Sequence, residues 1–188
     1  MDPLDTYLLC LDCARNVWAR GPQPGPDYVE RVARLLFGTW AIESGGGRWD
    51  RQRRFSLAQL TGGWGWWQIE YGSVETSLAA LARWPALAKR SAVWLFERAD
   101  ADPGWYRDMK PLAIMQWMRL TPRLGLLFAR LHYLRHPSPI PASLAAQAKY
   151  YKDVYNTYVG KGTRQKYMDD WVLFCEPVMK RLEQETVV

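Results

Sequence analysis

The chain has 188 residues, 48% of them hydrophobic and 23% charged, which is enough apolar material for a buried core and excludes a disordered polypeptide. A net charge of +6 draws it toward anionic surfaces such as nucleic acid, lipid headgroups or a bacterial wall. No run approaches the ~18 uninterrupted apolar residues of a membrane span, and Met1-Asp2-Pro3-Leu4-Asp5 places acids where a secretory signal carries bases, so synthesis in the cytoplasm without a leader is expected.

In chain order the pattern is nearly all helical, and the length fits one domain over 1–188. Helical spacing covers about 4–19 and stops near Gly21-Pro22. Pro26-Asp27 opens a second helix with Asp27 as the expected N-cap, and Val29, Val32, Ala33, Leu36, Phe37, Trp40 and Ala41 mark one face of it. Gly45-Gly46-Gly47 ends that helix. An Arg-, Gln- and Gly-rich stretch over about 48–65 reads as loop with a short hairpin. Helices are expected over about 74–83, 86–99 and 106–119, then from Thr121-Pro122 to about His136. After the stiff Pro137, Pro139, Pro141 connector, two more are expected over about 142–157 and 164–184.

Three cysteines, Cys10, Cys13 and Cys175, form no even disulfide framework, and Cys10 and Cys13 read as a packed helix face. His132 and His136 have the i, i+4 spacing of a zinc pair, but no Glu follows the first and no third ligand is evident. The sequence therefore implies no metal and no organic cofactor.

Glu43 carries the most chemistry. Seven residues after Leu36 and fourteen after Val29, it returns to within about 20° and 40° of them at ~100° per residue, so it lies on the apolar stripe in the last helical turn. Desolvation and the negative end of the helix dipole both favour the protonated acid. Such a carboxyl suits glycosidic cleavage, in which the leaving oxygen receives a proton. The competing seat is an ion pair with Arg51, Arg53 or Arg54.

About twenty residues later comes Gly62-Gly63-Trp64-Gly65-Trp66-Trp67-Gln68-Ile69-Glu70. Glycines let backbone approach a ligand, Gln68 offers a donor and an acceptor, and indoles give flat faces for sugar rings. Glu43-Ser44 followed by Gly65-Trp66-Trp67-Gln68 resembles the E-S and G-L-M-Q signature of soluble lytic transglycosylases and goose-type lysozymes. Ala148 to Asn156 resembles the A-x-x-x-Y-N-A-G helix of that superfamily, with Tyr155-Asn156 the best fit. Leu57 to Glu70, Arg130 to Arg135, and Tyr155-Asn156-Thr157 with Gly160 to Thr163 are similar to an uncharacterised group of tailed-bacteriophage proteins. The likeness spans roughly residues 35–175.

The resemblance implies a mainly α, lysozyme-like domain with a small loop or hairpin after the catalytic helix. It implies Glu43 as acid/base, with Ser44, Gly65, Trp66, Trp67, Gln68, Tyr155 and Asn156 on the substrate side. Paired carboxylates are usual in glycoside hydrolysis, and Asp50 and Glu70 are the candidates for a second. Asp50 also reads as an ion pair among Arg48, Arg51, Arg53 and Arg54, and Glu70 as a brace or helix cap. Lytic transglycosylases need one Glu alone, because the substrate's N-acetyl group stabilises the cation and its 6-hydroxyl closes a 1,6-anhydro ring.

Three functions compete on these residues. One is a phage-type enzyme acting on peptidoglycan strands, carried in a virion or tail. Another is a virion structural protein of tail or neck that keeps the fold with little catalysis, its groove filled by Trp66 and Trp67. The third is a nucleic-acid binder with Arg and Trp interleaved along one groove, although no nucleic-acid motif is present.

Overall fold

The strongest periodicity in the chain produces the central helix. In the computed structural model, which describes residues 1–19, 21–50, 62–156 and 161–186, the described residues form an all-α fold with no strand. Helix α1 (Pro3–Asn16) lies against α2 (Pro26–Ser44), and Val29, Val32, Ala33, Leu36, Phe37, Trp40 and Ala41 of α2 are all buried. Asp27 is not the N-cap. Gly25 takes that position in extended conformation, Pro26 occupies the first helical position, and Asp27 stands in the first turn where it complements the helix dipole.

Helix α2 is wrapped on more than one side, so its buried surface is wider than the stripe read from the sequence. Leu35, Gly38, Thr39 and Ile42 are also buried. Gly38 has no side chain because a Cβ there would stand 2.1 Å from the Tyr167 hydroxyl, and Thr39 hydrogen-bonds Tyr133 at 2.7 Å. At the C-terminus the Gly46 amide donates to Ala41 O at 3.0 Å, closing the helix in a left-handed cap on Gly45 (φ 59°).

Helices α3 (Tyr71–Arg83), α4 (Pro85–Phe96), α5 (Pro111–Leu120) and α6 (Pro122–Leu134) follow, three of them started by proline. Helix α5 begins later than expected because residues 103–108 are turns, and α6 stops before His136. Helix α7 (Leu144–Tyr150), capped by Ser143, runs on into a π-helical segment over Tyr151–Tyr155. Helix α8 (Arg164–Asp170) passes through a second π segment (Trp171–Cys175) into α9 (Glu176–Thr186). Pro177 supplies a reason for that second segment: it has no amide hydrogen, and the wider turn before it absorbs the interruption.

Cys10, Cys13 and Cys175 are buried free thiols. No helix among the described residues is long and apolar enough to cross a membrane. Most of the expected hairpin region, residues 51–61, lies outside the described residues. The reversal that is described comes later, where Trp64 and Ile69 exchange both backbone hydrogen bonds at 3.0 and 2.9 Å across a four-residue turn.

Candidate active site

Glu43 is half-buried in the last turn of α2, where Tyr151 of the π segment and Asn156, the residue that ends it, approach it. The Tyr151 hydroxyl donates to Glu43 Oε1 at 2.5 Å, and the Asn156 side chain lies near enough to act on the same carboxyl as a donor, drawing its pKa down. Winding explains how both reach one carboxyl. Five residues advance an α-helix to about 140° away at ~100° per residue, whereas the i→i+5 turn sets Asn156 over Tyr151. The Asn156 amide accordingly donates to Tyr151 O at 3.0 Å. Gly162 packs behind the pair: a Cβ there would lie 2.6 Å from the Tyr151 hydroxyl and 2.8 Å from Asn156 Nδ2.

Burial pushes the Glu43 carboxyl up to about 7, against the pull of the two donors and of Lys166; the nearby Glu70 charge adds to the rise. Burial and the adjacent carboxyl hold the Tyr151 phenol far above its ordinary range, so it remains a proton donor. Between 4.5, the ordinary value, and 7 the folded state keeps a proton that the unfolded chain has released. The contribution of Glu43 to stability therefore falls as pH rises through this interval and stays low above it. His132, pushed down to about 4 by burial, works in the opposite direction, its contribution being lost as pH falls. Thermal melts of wild type and Glu43→Gln from about pH 4 to 8 should show the variant gaining relative stability as pH rises, since the His132 effect cancels in the difference. A pH-independent difference would contradict the burial of this carboxyl.

The turn at 64–69 is joined to α2 through Trp67 and to the π segment through Tyr155. Gly65 is left-handed (φ 70°) and packs on Met118, where a Cβ would stand 3.2 Å from Met118 Cβ. Gln68 is also left-handed (φ 51°) and is buried. Its Nε2 donates to Gly65 O at 3.3 Å and Trp49 O at 3.5 Å, while its carbonyl oxygen has no partner among the described residues. The amide thus braces the turn with one end and leaves an acceptor at the other.

The indole pair divides. Trp67 is fully buried and donates from Nε1 to Leu36 O of α2 at 3.0 Å, so its ring offers no face to a ligand. In this position it pins the turn to α2 rather than presenting a stacking face. Trp66 stays half-buried beside Gly47 and Trp40. Tyr155 is likewise relocated. Its hydroxyl donates to Trp67 O at 2.6 Å, and its ring lies between those of Tyr133 and Tyr151, so Tyr151 is the tyrosine bonded to Glu43. Ser44 faces inward, donating to Trp40 O at 2.6 Å and accepting from the Gly47 amide at 2.8 Å, because it holds the glycine turn.

Of the second carboxylates, Glu70 is exposed at the start of α3 and its charge reaches Glu43 and Tyr155. Asp50 is paired with Arg119 of α5 at 3.0 Å; Arg51, Arg53 and Arg54 lie outside the described residues. His132 and His136 part company. The first bonds Val154 O at 2.9 Å, and the second packs edge-on against Tyr150. Tyr151, Lys166 and Gly162 were not read from the sequence. The i, i+4 pair Tyr151 and Tyr155 was the available signal for the first.

Arg and Trp do interleave in a cleft of about 430 Å³ among α1, α4 and α6. Arg90 covers Trp18 and Arg123 covers Trp94, at 4.2 and 4.6 Å from the rings. Both cations are engaged internally, Arg90 with Trp18 O and Ala19 O, Arg123 with Asp12 and Glu97. No family model, curated protein or solved structure matches the chain.

Proposed function

We propose that the protein is a lysozyme-like lytic transglycosylase acting on peptidoglycan, of the phage type carried in a virion or tail, with Glu43 as its single acid/base. The observation that carries this reading is the Glu43 carboxyl itself: desolvated, poised near 7, and met by the hydroxyl of Tyr151 and the amide of Asn156. An acid of that strength can give a proton and take one back at neutral pH. The positive net charge favours approach to anionic wall polymers.

In the first step the protonated Glu43 gives its proton to the glycosidic oxygen as the C1–O bond breaks. The carbonyl oxygen of the substrate's 2-acetamido group bonds to C1 and takes up the positive charge. In the second step Glu43, now a carboxylate, accepts the proton of the 6-hydroxyl as that oxygen displaces the acetamido oxygen from C1. The product is a 1,6-anhydro sugar, Glu43 is again protonated, and no water is consumed. Tyr151 and Asn156 stabilise the carboxylate stage between the two transfers. The buried Gln68 carbonyl has no partner among the described residues and has the chemistry to accept an acetamido N–H.

The test is product analysis. Purified wall incubated with the protein should lose turbidity and release muropeptides with 1,6-anhydro ends. Reducing ends instead would mean that water is the nucleophile and would bring Glu70 forward as its base. A protein inert on walls of every chemotype tried would overturn the enzymatic reading in favour of a structural role in a tail or neck.

A further inference from the structure

We propose that Lys152 is a positioning residue that selects the proton state of Glu43 by fixing which end of the Asn156 amide faces it. The catalytic consequence rests on the glycosidase reading above; the effect on protonation does not.

A primary amide is ambivalent beside a carboxyl group. Its NH2 end donates and favours the carboxylate, whereas its carbonyl end accepts and favours the protonated acid. A 180° turn of the amide therefore reverses its influence without moving any other atom. Lys152, four residues before Asn156 and on the same face, donates from Nζ to Asn156 Oδ1 at 3.1 Å. An ammonium group has donors only, so it can hold the carbonyl end and never the NH2 end. Nδ2 is thereby left on the side of the Tyr151 hydroxyl that bonds Glu43, since a Cβ on Gly162 would lie 2.8 Å from the one and 2.6 Å from the other, and its donor end draws the Glu43 pKa down.

The other groups facing Glu43 are Tyr151 and Tyr155 of the same segment, Tyr133 of α6, Lys166 of α8 and Glu70 before α3. Lys166 is ion-paired with Asp170 one turn along its own helix. Lys152 differs from all of these in acting through a group that can be reversed. With Lys152 gone, the amide is free to present its oxygen to the acid. Glu43 then holds its proton to higher pH, and the return of a proton in the second half of the cycle is impaired.

The experiment is an NMR titration of the carboxyl-13C-labelled, folded chain with no substrate present. Lys152→Met should move the Glu43 midpoint upward by about one pH unit, the size of one charge-assisted hydrogen bond. Lys152→Arg, which keeps a donor-only cation, should restore it. The same Lys152→Met change in an Asn156→Ala background should leave the midpoint where Asn156→Ala alone puts it. An unmoved midpoint in Lys152→Met overturns the proposal, and so does an equal shift in both backgrounds, which would be direct charge loss. Lys152→Gln serves as a second neutral variant if the Met protein does not fold. Because no glycan is involved, a chain that cleaves nothing can still show the shift, and a cleaving chain can fail to show it.

Discussion

Glu43→Gln should abolish glycan cleavage while leaving the fold intact, with a rate loss of roughly 10²–10⁴-fold, the span that general acid–base groups supply. The substitution keeps volume and keeps an acceptor for the Tyr151 hydroxyl, which stands 2.5 Å from Oε1. What it removes is the group that gives and takes the proton, and both transfers in the proposed cycle pass through that one carboxyl. Substrate binding should change little, so the loss should fall on kcat rather than KM. Turbidity assays on purified wall, paired with circular dichroism of the two proteins, measure it. Equal rates in both would remove Glu43 from the chemistry. An unfolded variant is not expected, since replacing a desolvated acid by an amide relieves a penalty near neutral pH.

The second large effect is on stability. Trp67→Ala should cost about 3–5 kcal/mol, as truncation of a buried large aromatic does, and should lower Tm by roughly 10 °C in a chain of this size. Trp67 is completely buried, and its indole nitrogen is bonded to Leu36 O, one residue from the centre of α2. Activity should fall with it even below the melting range, because Tyr155 is anchored to the backbone of the same residue at 2.6 Å. Trp66→Ala is the control: Trp66 is half-buried, and its loss should be much milder. Differential scanning calorimetry of both variants decides the matter, and equal destabilisation would contradict the division of the two indoles.

The helices were legible where one rule governs them. The apolar face of α2, the proline starts and the glycine stop at 45–47 are local signals, and the structure follows them. The N-cap of α2 moved from Asp27 to Gly25 because Pro26 already supplies the fixed φ of a first helical residue. Glu43 could be placed by phase because α2 is regular. Its partners could not, because α-helical phase sets Tyr151 and Asn156 apart and the π segment brings them together. The inward seat of Trp67 was not legible for a related reason: in a tight turn adjacent side chains point in different directions, and a left-handed Gln68 belongs to the turn that sets which indole faces inward. Asp50 drew attention to neighbouring arginines, yet its partner Arg119 comes from α5, 69 residues away. Distances of that kind leave no mark on local composition.

The seat of Glu43 also has a schedule. The residue that donates to it lies 108 positions further along the chain, and at about 5–20 residues per second a ribosome needs roughly 5–20 s to deliver it. Until then α2 has neither Tyr151 beside its acid nor Tyr167 against Gly38, and its apolar surface has no lasting cover from that side. A nascent chain therefore carries Glu43 without Tyr151 beside it until the segment around 151–167 has been made.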